Sequence, residues 1–134
     1  MKKMKREIIL IIVQRNGAME KLNVLLITGK VTIEHDYREI NQYLRTLLES
    51  TGRFDVRITE EFDGCTETTL KPYDVILLNY DGRDFPTDAE YKRWSPVTEK
   101  AFFDFVKAGK GLVIFHSSAW IDEDLPEEYK KLWG

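Results

Sequence analysis

Cysteine is nearly absent from this 134-residue chain: Cys65 stands alone. A single thiol excludes an internal disulfide and any C-x-x-C metal or redox motif. A reducing compartment is compatible with that, and a cytoplasmic protein is the expectation. A surplus of positive charge is missing too. Twenty Lys and Arg stand against 23 Asp and Glu, a formal net charge of −3, so the chain lacks the basic face that nucleic acid requires. Its N-terminal apolar run, Ile8 to Val13, is too short for a membrane span and short for a signal-peptide core. There is no phosphate loop: "ITGK" (27–30) fits neither G-x-G-x-x-G nor G-x-x-x-x-G-K-[ST]. A phospho-receiver domain would want an acidic pair there to hold magnesium, and Thr28-Gly29-Lys30 supplies none. The two histidines, His35 and His116, show no H-x-x-x-H or H-E-x-x-H spacing. A metal site built from them with Asp36 or Asp81 is therefore unsupported, and no metal or cofactor is expected.

What is present is a soluble, globular composition, 43% hydrophobic and 32% charged. The length suggests one domain with a sizeable core. From Lys21 the chain alternates two kinds of segment. "NVLLIT" (23–28), "YDVILLNY" (73–80) and "GLVIFH" (111–116) are near-continuous apolar runs, as strands buried on both faces would be. "FDVRIT" (54–59) alternates, as an edge strand does. Between them lie amphipathic helices. Asp36 with Glu39 three residues on predicts a cap, followed by Tyr37, Ile40, Leu44, Leu47 and Leu48 at helical spacing. Ser95-Pro96 opens another helix whose apolar face is read as Val97, Phe102, Phe105 and Val106. Asp124 caps a last one. The expected fold is α/β: a three-layer sandwich with helices on both faces of a parallel sheet of about four strands in order 2-1-3-4. Residues 19–134 form that domain. Residues 1–18 are expected to lie outside the core, as a leader or a mis-assigned start at Met19. Asn16-Gly17 offers the competing reading of a hairpin turn.

In such sheets ligands sit beyond the carboxyl ends of the strands, where strand order reverses. That rule singles out three clusters. "FHSSAW" ends the last strand with His116, Ser117 and Ser118. It has no G-x-S-x-G, so a serine nucleophile is a minority reading. His116 is better read as an acid/base or orienting group, because imidazole titrates near neutral pH. The competing account is a histidine satisfied by backbone at a strand end. "EHDY" supplies His35, Asp36 and Tyr37 after the first strand, though Asp36 is already explained as a cap. Asn79, Tyr80 and Asp81 end the third strand, where Asp81 is either a functional carboxylate or part of an Asp-Gly turn. Trp94 could stack on a sugar ring, and more simply staples the following helix to the sheet. Cys65 lies in an acidic connection that discourages thiolate chemistry.

The ordered pieces "NVLLITG", "HDYREINQYLRTLLESTGRFDV", "YDVILLNYDG", "AFFDFVKAGKGLVIFHSS" and "EYKKLWG" resemble the ThuA-like (trehalose-utilisation) family. That family belongs to the class I glutamine amidotransferase-like superfamily, so the resemblance implies that the three-layer sandwich is flavodoxin-like. The resemblance covers about residues 21–134 and implies a role in sugar utilisation, with a small-molecule sugar as partner. By position it matches His116, the His35-Asp36-Tyr37 segment and Asn79-Tyr80-Asp81 to family segments. Relatives that hydrolyse glutamine place a cysteine after the equivalent strand. Serines and alanine stand there in this chain, so glutaminase chemistry is not expected. Family domains continue past the point matching "EYKKLWG", so the chain is expected to be a C-terminally truncated portion, with an exposed sheet edge through which copies could associate. Three functions follow from the resemblance: a sugar-processing enzyme with His116 and Asp81 as catalytic groups, a non-catalytic carbohydrate-binding or regulatory domain, or an inactive fragment. Asp36, Tyr37, His35, Asn79, Tyr80, Ser117, Ser118 and Trp94 would contact the substrate.

Overall fold

The structure is a computed structural model, and it describes residues 14–15, 18–30, 36–82, 93–119 and 126–133. Two short strands, β1 (Gln14–Arg15) and β2 (Ala18–Met19), pair antiparallel across the Asn16-Gly17 position. The pair forms its own two-stranded ladder, and residues 16–17, where a hairpin turn is the competing expectation, lie outside the described residues. Residues 1–13 lie outside the described residues.

The main sheet has four parallel strands: β3 (Leu22–Thr28), β4 (Phe54–Thr59), β5 (Val75–Asn79) and β6 (Gly111–Ile114). Their spatial order is β4-β3-β5-β6, which is the expected 2-1-3-4. β3 is paired along both edges, and its two faces lie in separate hydrophobic cores, which is why its sequence is apolar without alternation. β4 sits on the edge its alternation predicts. Its Val56 N–H is taken by the Glu49 carboxylate at 3.1 Å, which occupies part of the edge.

Side chains alternate between two cores. On one face Leu25, Ile27, Ile76 and Leu78 meet Phe102, Phe103 and Phe105 of α3 (Pro96–Lys107) and Tyr129 of α4 (Glu127–Trp133). On the other, Val24, Leu26, Val56 and Leu77 meet Leu44 and Leu48 of α1 (Tyr37–Ser50). Each such residue fully buried is worth about 1.5–3 kcal/mol. The expected α3 face needs correcting. Val97 is 63% exposed and Phe103 is buried, because α3 packs through Thr98, Ala101, Phe102, Phe103 and Phe105. The connection before β5 holds a one-turn helix, α2 (Glu67–Leu70), whose Leu70 enters the core. Ser95 does not cap α3 through its side chain; its hydroxyl bonds to Thr98 at 3.1 Å. Asp124 lies outside the described residues.

The "GKG" between α3 and β6 serves the backbone. Gly109 has φ +86°, and its N–H bonds to Val106 while the Lys110 N–H reaches Phe105. This is the Schellman pattern that ends a helix on a left-handed residue. Gly111 then starts β6 against Val75. A Cβ at Gly111 would come to 3.0 Å from Val75 Cγ2. The motif thus delivers the strand that carries His116 close against β5.

Candidate functional site

The parallel register brings three strand ends to one edge. Thr28 pairs with Asn79, Leu78 pairs with Ile114, and the Phe115 N–H bonds to Leu78 at 2.9 Å. The loops leaving β3, β5 and β6 must therefore share the space beyond that edge.

A buried polar chain fixes the edge. Asn41 of α1 donates to the Thr28 hydroxyl at 2.9 Å, and Asn79 donates to the Asn41 carboxamide at 2.8 Å. All three side chains are buried. Within a low-dielectric interior such bonds are strong and hold one arrangement. Ser118 makes the next link. It is buried, and its hydroxyl accepts the Tyr80 N–H at 2.7 Å, tying the loop after β6 to the end of β5.

Above this layer Tyr37 opens α1. It is 1% exposed, and its hydroxyl lies beside the Asp81 carboxylate and the Ser117 hydroxyl. Burial first, then the Asp81 charge, pushes the phenol up to about 12. Three loops therefore meet at one phenol: Tyr37 follows β3, Asp81 follows β5 and Ser117 follows β6.

His116 begins the 3-10 turn His116–Ala119. It has φ +51°, alone among the described non-glycine residues in the left-handed region. Its side chain is exposed, and its ring stands 6.2 Å from that of Phe115. A non-glycine residue in this conformation costs on the order of 1 kcal/mol. Such strain concentrates at functional turns. The turn holds His, Ser, Ser and Ala and no thiol.

The other sequence candidates are placed as follows. Asp36 is exposed and accepts the Glu39 N–H at 3.1 Å as the α1 cap. Tyr80 is half-buried and packs on the α3-side core. Trp94 sits in an aromatic group, 4.7 Å from Phe62 and 5.3 Å from Phe102 between ring centres, the geometry of a staple. His35 lies outside the described residues. Cys65 is half-buried in the connection between β4 and α2, and burial, then Asp63, raises its thiol. Among the described residues no three His, Cys, Asp or Glu side chains form a cage for a metal, and no helix is long and apolar enough to cross a membrane.

Asn41 and Thr28 escaped the sequence reading. The signal was available: Asn41 follows Tyr37 by four residues and precedes Leu44 by three, so a carboxamide occupies the buried stripe of an amphipathic helix.

The ordered motifs have counterparts in known proteins. A family model described as ThuA, trehalose utilisation, matches residues 23–134. Among solved structures, a ThuA-like protein of Parabacteroides merdae is 27% identical with a TM-score of 0.61, covering 81% of this chain and 37% of that one. A ThuA-like protein of Bacteroides uniformis also has a TM-score of 0.61, at 21% identity, covering 88% of this chain and 46% of that one, a likeness of fold alone. This chain spans less than half the length of either. No curated protein matches it. The family match takes in the whole parallel sheet, the helices that cover it and the edge where Tyr37, Asp81 and Ser117 meet, and on that ground the chain belongs to the ThuA family.

Proposed function

We propose that this edge is a sugar site, acting on a trehalose-type or oxidised glycoside in sugar utilisation, with His116 as the catalytic acid/base and Asp81 orienting it or a sugar hydroxyl. The observation that carries the reading is His116 itself. It is exposed, and held at φ +51° at the carboxyl end of β6. Its neighbour Ser117 lies beside the Tyr37 hydroxyl, as Asp81 does. An imidazole can serve as both acid and base, which is the chemistry an alcohol or carbonyl group on a sugar calls for, and the loop that bears Asp81 leaves the neighbouring strand. The family's description supports the substrate class. A thiol is lacking from the turn, which separates this site from glutamine hydrolysis.

The test is a titration with trehalose and with an oxidised glycoside, followed at the His116 ring signals, in this chain and in a full-length ThuA-like relative. The expected result is a saturable displacement of the ring signals that Asp81→Asn weakens. A full-length relative whose matching histidine is unmoved by either sugar overturns the reading.

A further inference from the structure

Helix α1 buries two side chains fully, and neither is aliphatic: Tyr37 and Asn41. Its leucines Leu44 and Leu48 are only half-buried. The two polar residues are four apart, one turn of helix, so they stand one above the other on a single face. That face meets the carboxyl edge of the sheet. Burying a carboxamide is costly unless it is hydrogen-bonded, and an aliphatic residue at position 41 would bury without that cost. Asn41 spends its polar atoms on Thr28 of β3 and Asn79 of β5. Tyr37 places its hydroxyl beside Asp81, two residues past β5, and Ser117, in the turn after β6.

We propose that Tyr37 and Asn41 form a positioning key: one helix face that fixes the strand ends through Asn41 and sets Asp81 and the His116 turn through Tyr37, which acts on the sugar only through those residues. The inference rests on the edge being the functional site. Three loops that leave different strands would otherwise settle independently. A helix that bonds two strand ends with one side chain and reaches two loops with the other joins them into a single geometry. A functional constellation needs this, since its groups must be held within a fraction of an ångström of their working positions. The buried Tyr37 ring, 1% exposed, suits it to support rather than to direct contact with a substrate.

The experiment compares ligand-free NMR spectra of the full 134-residue chain with those of Tyr37→Phe, which keeps the ring packing and removes one oxygen. The expected result is displacement of the Asp81, Ser117 and His116 signals with those of Val56 and Ile58 on β4 unmoved, at nearly unchanged thermal midpoint. A tyrosine with only a packing role would leave the edge signals where they are. Edge signals unmoved, or displaced no more than those of β4, overturn the proposal. Should Tyr37→Phe fail to fold, Asp81→Asn and Ser117→Ala read the same contacts from the other side. Each is expected to displace the Tyr37 ring-carbon signal, and an unmoved signal in both overturns the proposal. No sugar is present, so a failed sugar titration leaves this result standing. Conversely, an unmoved edge in Tyr37→Phe would overturn the key and leave sugar binding untouched.

Discussion

Asn41 and Asn79, 38 residues apart in sequence, share a buried hydrogen bond of 2.8 Å in which the Asn79 amide donates to the Asn41 carbonyl. The same Asn41 donates onward to Thr28 at 2.9 Å. One helix side chain therefore ties the ends of the two central strands. Replacing it by Leu removes the partner of both strand residues inside the core. An unsatisfied buried polar group costs about 1–3 kcal/mol, so Asn41→Leu should lose about 2 kcal/mol or more in urea unfolding despite being more apolar. A variant as stable as the parent would show that the polar chain contributes nothing.

Gly111 is set by contact. An alanine there places its Cβ 3.0 Å from one Val75 methyl and 3.3 Å from the other. Overpacking of this kind costs about 1–3 kcal/mol. Gly111→Ala should show that loss, and Val75→Ala in the same chain should recover part of it, since the two sites are in contact and their effects do not add. Strict additivity in the double variant would contradict the close approach.

The left-handed backbone at His116 makes a stability test independent of any ligand. Glycine accepts φ +51° without the Cβ penalty. His116→Gly should keep or raise stability, by at most about 1 kcal/mol, because the flexibility it adds to the unfolded chain offsets part of the gain. A β-branched residue is least tolerant of this region, so His116→Val should cost about 1–2 kcal/mol. The order Gly, His, Val in thermal midpoint is the expectation, and Val above His would count against a strained turn.

Alkaline pH tests the buried phenols. Burial, with Asp81 behind it, raises Tyr37 from the ordinary 10.0 to about 12. Tyr129 is raised as well, by burial first and then by Glu99. The folded chain thus holds these protons more tightly than the unfolded chain. That contribution is fully present below about pH 10 and is lost as pH rises through the folded values. The slope can reach about 1.4 kcal/mol per pH unit for each tyrosine. Urea midpoints should fall between about pH 10 and 12, and Tyr37→Phe should flatten the fall by one tyrosine's share. An unchanged slope in that variant would mean the Tyr37 phenol ionises as freely folded as unfolded.

The sequence by itself determined the sheet. A strand buried on both faces has to be apolar throughout and a half-covered edge strand has to alternate, so β3, β5 and β4 were recognisable by period alone, and the connection rules then left few orders to choose among. β6 departs from that reading: its run is apolar, yet it ends the strand order of the described residues, only half-buried and with Val113 46% exposed. The sequence also located the carboxyl edge of the sheet, because strand direction fixes where the carboxyl ends lie. Only the tertiary structure decided which residues of each amphipathic stripe are sealed. Val97 lies on a plausible helical face and is exposed; Phe103 lies beside it and is buried, because the rotation of α3 against the sheet is set by packing between distant elements. The same holds for the edge. Tyr37, Asp81 and Ser117 are separated by dozens of residues, and no local pattern says that their loops touch. The left-handed turn at His116 is likewise imposed by the end of β6 and the Ser118 bond to Tyr80, since histidine itself has no preference strong enough to announce it. Periodicity records what a segment must bury, while the meeting of side chains from different segments is a property of the packed whole.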